Sequence, residues 1–359
     1  TVHTAVIICL AGGILITVFG ILFSHNILAL MNTKDELIDG AVLYLRIYLL
    51  GMPALGLYNF GNAVLSAAGD TKRPLYYLAF AGVVNVILNL FFVIVCHLGV
   101  AGVALASMIS QFISAFLILR ALLTGKEKYC LRLSEIRFDR RKAAGILQIG
   151  IPSAFQYSLF AFANLFVQSS VNSFDHVLVE GNSAAANADP LVYDMMAAFY
   201  TACSSFIAQN FGAQKKKRIL QTYLICLFYS FITSLVLGVG LYLARYPFLY
   251  LFTSDKAVVE AGITRLSIMA LSYSASAFMD ASIAASRGLG KTAVPTFVVV
   301  MGSCVFRIIW IYTIFAYFHT IQSLYILYVF SWGITAIAEN IYFFHVYRHT
   351  LTGKTESHL

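Results

Sequence analysis

Ten stretches of this chain are each long and apolar enough to cross a lipid bilayer, and that leaves few folds open. A bilayer span needs about 20 mostly apolar residues. It must also pair its backbone N–H and C=O groups within the segment, which favours helices. The runs read as Val6–Met31, Leu43–Ala68, Tyr77–Leu98, Gly99–Leu123, Ala144–Phe174, Asn187–Phe211, Ile219–Phe252, Leu266–Ser286, Val294–Phe318 and Ser323–Tyr347. The sixth and eighth are the more polar. Of the 359 residues, 60% are hydrophobic and 11% charged, against about 25% charged in a soluble domain. The mean hydropathy is +0.81. The chain therefore reads as an all-α polytopic membrane protein. Its first run is too long for a signal-peptide core, and no small-residue cleavage site follows it.

The formal charge is +8, and its placement says why. If the chain crosses at each run with Lys72 and Arg73 in the cytoplasm, the loops on that side hold most of the basic residues. They include Arg120, Lys126, Lys128, Arg132, Arg137, Arg140, Arg141, Lys142, Lys215 to Arg218, Arg287, Lys291, Arg348 and Lys354. The opposite loops hold little beyond Lys34, Arg245, Lys256 and Arg265. This is the positive-inside pattern, and it sets both termini in the cytoplasm. The basic balance marks topology and calls for no nucleic-acid partner.

The six cysteines are scattered, without a CxxC pair, and read as small membrane-core residues. The sequence has no HExxH, no P-loop and no nucleophile elbow. Nothing in it points to an enzyme or to a resident cofactor.

The one long hydrophilic stretch divides the chain. Residues 1–124 read as an N-terminal lobe, 125–143 as a cytoplasmic linker lying partly on the membrane surface, and 144–359 as a C-terminal lobe. The lobes resemble each other at an offset of 221 residues. Scattered Leu and Ile matches mean little in apolar sequence. The turn AAGDTKRP against GLGKTAVP means more, because it pairs Gly69 with Gly290, Thr71 with Thr292 and Pro74 with Pro295. The copies share one membrane orientation, as in transporters built from parallel repeats. Residue 1 corresponds to residue 222, so the spans within Ala144–Phe211 have no partner in the first half, and their counterparts would fall before Thr1. The expectation is a fold of about twelve helices, of which this sequence carries the last ten.

Polar residues inside the runs fall on helical stripes. Gln156, Asn164, Gln168 and Asn172 share one i+4 track with Phe160 between them. Ser272, Ser276 and Asp280 form a second, and Ser331, Thr335 and Glu339 a third. Asn59, Asn62, Ser66, Asn85, Asn89, Asn187, Asp189 and Asp194 are also intramembrane or close to it. Such groups can be glue between helices or the lining of a watery cavity. The serines suit glue; four amides on one track exceed what packing needs and suit a cavity. Asp280, Arg307 and Glu339 are costly in a bilayer. They are either an Arg307–acid pair locking the bundle or a cation or proton site. Asp280 aligns with Asn59 in the first copy. Asp189 and Asp194 could instead sit near the outer surface. Gly51, Pro53, Gly56 and Gly61 mark the second run as bendable, and Pro152 the fifth.

With these segments in view, the chain resembles the multidrug and toxic compound extrusion (MATE) family, bacterial branch. The resemblance rests on VLSAAGDTKRPLYY, LGVAGVALASMISQ, IGIPSAFQYSLFAFANLFVQSSVNSF, SSFIAQNFGAQKKKRI, MDASIAASRGLGKTAVP and FRIIWIYTIF. It implies a twelve-helix, two-lobe fold whose helices three to twelve are present here. It also implies a monomeric plasma-membrane antiporter that exports organic cations or other amphipathic compounds in exchange for Na⁺ or H⁺. Some branches place an acid eight positions after the proline of the seventh family helix; here that position is Phe160. An acid in the tenth helix is matched by Asp280, and another in the first helix has no counterpart in this sequence.

The coupling-cation candidates are therefore Asp280, Glu339 and Asp189, with Na⁺ near Asp280 as the metal possibility. The substrate-path candidates are Gln156, Asn164, Gln168, Asn172, Asn59, Asn187 and Arg307. Two other readings stay open. A flippase for lipid-linked precursors would want a strongly cationic cavity, for which the sequence offers Arg307 and Arg46. A truncated, transport-dead membrane protein is the other.

Overall fold

The computed structural model describes residues 1–30, 35–125, 127 and 129–349. Lys34, Lys126, Lys128 and Lys354, counted above among the loop charges, lie outside the described residues. Among these, nine helices are long and apolar enough to cross a membrane, or ten if one bent pair counts as a single span. The structure is an all-α, multi-pass membrane architecture. Large apolar side chains such as Leu15, Leu22, Phe162, Leu243 and Ile341 remain more than half exposed, as a lipid-facing surface requires.

The chain forms two compact units, Thr1–Leu147 and Gln148–Leu359. In the first, α1 (Val2–Leu30) packs on α2 (Asp35–Leu49) and α3 (Met52–Ala67), and α5 (Gly99–Thr124) packs on α2, α3 and α4 (Lys72–Val95). Helices α2 and α3 meet at a 43° bend. The bend falls where Gly51 and Pro53 remove a side chain and a backbone donor. The core joins Val6, Tyr58, Leu65, Ile118 and Leu122. Asn85 donates to Ser110 Oγ at 3.3 Å and Asn89 to Asn85 at 3.0 Å, tying α4 to α5. Asn85 is thus helix-to-helix glue, and Asn89 braces it from one turn along α4.

Helix α6 (Arg140–Val171) runs through Pro152 and leads into the second unit. Its start is set by Asp139, whose Oδ1 accepts the N–H groups of Arg141 and Lys142 at 3.0 and 3.2 Å. Those amides, that of Lys142 first, and the Lys142 charge hold the Asp139 carboxyl below the usual carboxylate range. Helices α7 (His176–Ala186) and α8 (Ala188–Gly212) follow, then α9 (Lys216–Leu243), α10 (Arg245–Tyr250) and α11 (Lys256–Gly288). Helix α12 (Ala293–Phe318) contains π-helical turns at Val300–Val305 and Ile311–Phe315, and α13 (Ile321–His349) closes the described chain. Helix α11 is the hub, packed against α7, α8, α9 and α13.

Two sequence boundaries are corrected. The sixth span begins in α7, where Asp175 Oδ1 caps the helix by accepting Leu178 N–H at 2.9 Å. The eighth begins at Lys256, capped by Asp255 through Ala257 N–H at 2.8 Å. Polar residues in these first turns hid the helices from a hydropathy reading. Arg265, assigned above to an outer loop, is thus inside α11 and 6% exposed.

The repeated turn has the same geometry in both units. Gly69 and Gly290 have φ of +91° and +75°. Gly69 N–H bonds Ser66 and Asp70 N–H bonds Leu65; at the matching positions Gly290 bonds Arg287 and Lys291 bonds Ser286. This is the Schellman closure, which places glycine at the left-handed position. Pro74 and Pro295 are both buried just beyond it.

Candidate functional site

The second unit encloses a cavity of about 560 Å³ lined by α6, α7, α8, α11, α12 and α13. That volume is in the range of small-molecule sites. One wall is aromatic. Tyr193 lies edge-on to Tyr273 and Trp332, with ring centroids 5.8 and 6.0 Å apart, and Tyr328 lies 5.5 Å from Trp332.

Another part of the lining is the polar track of α6. Gln156 is buried, and its Oε1 accepts from Arg287 Nη2 at 2.9 Å and from Thr296 Oγ1 at 3.3 Å. Two turns on, Asn164 Oδ1 accepts from Arg307 Nη1 at 2.8 Å. Gln168 donates to Asn172 Oδ1 at 2.9 Å, and Asn182 Nδ2 lies 3.5 Å from Gln168 Oε1. Gln156, Phe160, Asn164 and Gln168 line the cavity. Asn172 ends the track as a partner of Gln168, outside the lining.

Arg307 is 1% exposed. Its Nε donates to Ser331 Oγ at 3.3 Å, and Ser331 Oγ donates to the Gly302 carbonyl at 3.1 Å. That carbonyl belongs to the first π-turn of α12, where the ordinary helical pattern is broken. Thr335 Oγ1 is 3.1 Å from Ser303 Oγ, linking α12 to α13 again. The guanidinium also faces Tyr328 at 4.5 Å and Phe160 at 5.4 Å. Among the described residues no carboxylate lies within 4 Å of it. Of the two readings open for this residue, the Arg307–acid pair is not what holds it: amide, hydroxyl and π-faces surround this charge.

The ion pair at this cavity belongs to other residues. Arg265 Nη2 meets Asp189 Oδ2 at 2.6 Å, and Tyr273 donates its hydroxyl to Asp189 Oδ1. Close packing permits this: a Cβ on Gly181 of α7 would collide with Ala261 and Gly262 of α11. Asp189 lines the cavity, with its side chain 29% exposed. Asp194, by contrast, is exposed.

Asp280 also lines the cavity, and its Oδ2 is buried without a hydrogen-bond partner. Arg287, two turns later on α11, lines it too, with Nε buried and unpartnered. Glu339 is fully buried, neither oxygen has a hydrogen-bond partner, and it stands outside the lining. Ser272 and Ser276 bond carbonyls of their own helix, those of Ile268 and Tyr273. They are not the inter-helix glue the sequence suggested, whereas Ser331 and Thr335 are. Asn187 donates back to Ser183 and Ala184 carbonyls at the α7–α8 junction and is not in the lining. Asn59 is an exposed residue of α3 in the first unit.

Sequence reading missed Arg265 and Arg287, both counted as loop charges. A signal existed for Arg287: it lies seven residues after Asp280, two helical turns along one face. Among the described residues no group of three or more His, Cys, Asp or Glu side chains could hold a metal ion.

Comparison with known proteins adds to this geometry. The MatE family model matches residues 1–91 and 152–313. Probable multidrug resistance protein YpnP of Bacillus subtilis is 33% identical over 201 residues, which are 56% of this chain and 44% of that protein. Probable multidrug resistance protein NorM of Thermotoga maritima is 23% identical over 300 residues, 81% of this chain and 63% of that protein. The chain thus spans 44% and 63% of the length of these two relatives. A solved MOP superfamily transporter from Pyrococcus furiosus has the same fold, with a TM-score of 0.91 at 20% identity, covering 98% of this chain and 79% of the other.

Proposed function

The chain belongs to the MatE family, and from that premise we propose that it acts as a secondary active antiporter of the plasma membrane, with both termini cytoplasmic. It exports amphipathic, drug-like organic compounds in exchange for Na⁺ or H⁺. The observation that carries this reading is Asp280, an acid lining a drug-sized cavity with a buried, unpartnered oxygen. Such an oxygen is costly unless something fills the vacancy. A proton or a Na⁺ ion would do so, and release of that cation would change the cavity's charge by one. That gives the coupling ion and the cargo a shared site with unequal affinity for the two states, as exchange requires.

Aromatic residues and the α6 amides serve the cargo. Tyr193, Tyr328 and Trp332 offer π-faces, and Gln168 offers an amide that turns without breaking a helix. Glu339 and Asp189 have different standing as coupling groups. Asp189 is occupied by Arg265 and Tyr273. Glu339 has no polar partner and serves as a second protonatable group, reached when the helices move.

The test is efflux of a fluorescent dye from proteoliposomes under an imposed Na⁺ gradient, an imposed H⁺ gradient, and none. Acceleration by one gradient supports the reading. Efflux indifferent to both would remove the antiport claim.

A further inference from the structure

Each charged side chain in the cavity wall can be sorted by its partner. Asp189 is taken by Arg265 and Tyr273. Arg287 donates to Gln156 and acts electrostatically on both Asp280 and Glu339. Arg307 is left. Its partners are Asn164, Ser331 and two aromatic faces, all neutral. A guanidinium cannot shed its proton in a protein. Neutral dipoles and π-faces solvate that charge without cancelling it, and burial in low dielectric lengthens its reach.

The lining therefore holds Arg265, Arg287 and Arg307 against Asp189 and Asp280. If Asp280 serves the coupling cation, no acid remains in the lining for a cationic cargo. Glu339 does not alter this, being outside the lining. Around Arg307 the surroundings are those of an anion site with a hydrophobic floor. The cation lies between Phe160 and Tyr328, and Trp332 adjoins Tyr328.

We infer that the cargo of this cavity bears an anionic group, a carboxylate, sulfonate or phosphate, which docks on Arg307 while its apolar or aromatic body lies against Phe160, Tyr328 and Trp332. The inference rests on the transport reading for its word "cargo", and on the geometry alone for the charge. Zwitterions are included; a compound whose only charge is positive is not.

A matched pair of probes tests it. Dansyl-glycine and dansyl-cadaverine share one fluorophore and carry opposite charges. Fluorescence titration of the 359-residue chain in phosphatidylcholine nanodiscs should show dansyl-glycine binding at least about tenfold tighter, the effect of one charged hydrogen bond. Arg307→Gln should abolish that preference, and Arg307→Lys should keep part of it, having the charge without the planar fork. Equal binding, or tighter binding of dansyl-cadaverine to the wild type, overturns the inference. That comparison needs no variant, so it decides even if Arg307→Gln does not fold. Adding phosphatidylglycerol to the discs separates two sources of anion. Displacement of dansyl-glycine puts the group on a lipid, and retention puts it on a soluble amphiphile; both uphold the anion site. Gradient-driven efflux without an anion preference removes the charge assignment and leaves transport standing. Anion binding with no gradient-driven efflux does the reverse.

Discussion

Arg265 of α11 and Asp189 at the start of α8 form a partly buried ion pair, with Nη2 and Oδ2 2.6 Å apart and the other Asp189 oxygen taken by the Tyr273 hydroxyl. The pair joins two helices on the cavity wall, and Arg265 Nη1 beside it is buried without a partner. Removing one partner strands the other. Asp189→Leu or Arg265→Leu should each lower the stability of the detergent-solubilised protein by about 2 kcal/mol, because each leaves a polar partner of the pair unsatisfied. Joint replacement by Asp189→Leu and Arg265→Leu should cost less than the sum. Thermal unfolding of the four proteins gives the coupling, and strict additivity would show that the pair does not act as a unit.

The left-handed glycines give a second prediction. Gly69 and Gly290 have positive φ with open space where a Cβ would stand. An alanine there meets backbone strain alone, about 1–2 kcal/mol. Gly69→Ala and Gly290→Ala should therefore destabilise alike, while Gly145→Ala on the exposed face of α6 should be neutral or stabilising. Unequal losses in the first two would mean the repeated turns are not equivalent.

Glu339 gives a third. A charged carboxylate fully buried without a hydrogen bond would cost several kcal/mol. Glu339→Gln keeps the shape and removes the formal charge. The melting temperature should rise or hold. A clear fall would mean that the carboxylate is charged and paired with a cation that the glutamine cannot hold.

The cap of α6 gives a fourth, read by pH. The folded carboxyl of Asp139 is held below its ordinary value. Its contribution is therefore complete above about pH 4 and is lost as the pH falls through the lower folded value. The stability gap between wild type and Asp139→Ala should be constant near neutrality and shrink at acid pH. A gap independent of pH would exclude the carboxylate as its source.

Much of this was legible in the sequence, for definite reasons. Lipid demands long apolar helices, so the spans could be read one by one. The Gly-x-Thr-x-x-Pro turn could be read because its glycine is required by backbone conformation. Asp280 and Arg307 stood out because charge in an apolar run is costly. Arg265 and Arg287 did not, because a charge near a helix end looks the same whether it faces water or a neighbouring carboxylate. The i+4 track of α6 showed four amides on one face, but not that Gln156 would meet Arg287 and Asn164 would meet Arg307. Those pairings span more than a hundred residues and depend on how helices pack. Asn187 looked like a cavity residue by type and position; its amide instead closes the turn between α7 and α8.

The most direct measurement is gradient-driven dye efflux by Asp280→Asn beside the wild type in proteoliposomes, with protein orientation and amount matched. The amide keeps the shape of the side chain and cannot exchange a proton or neutralise Na⁺. The account predicts that efflux loses its response to the imposed Na⁺ or H⁺ gradient, while expression and melting temperature are kept. Efflux in the variant that still follows the gradient as the wild type does would contradict it, and would take the coupling role away from Asp280.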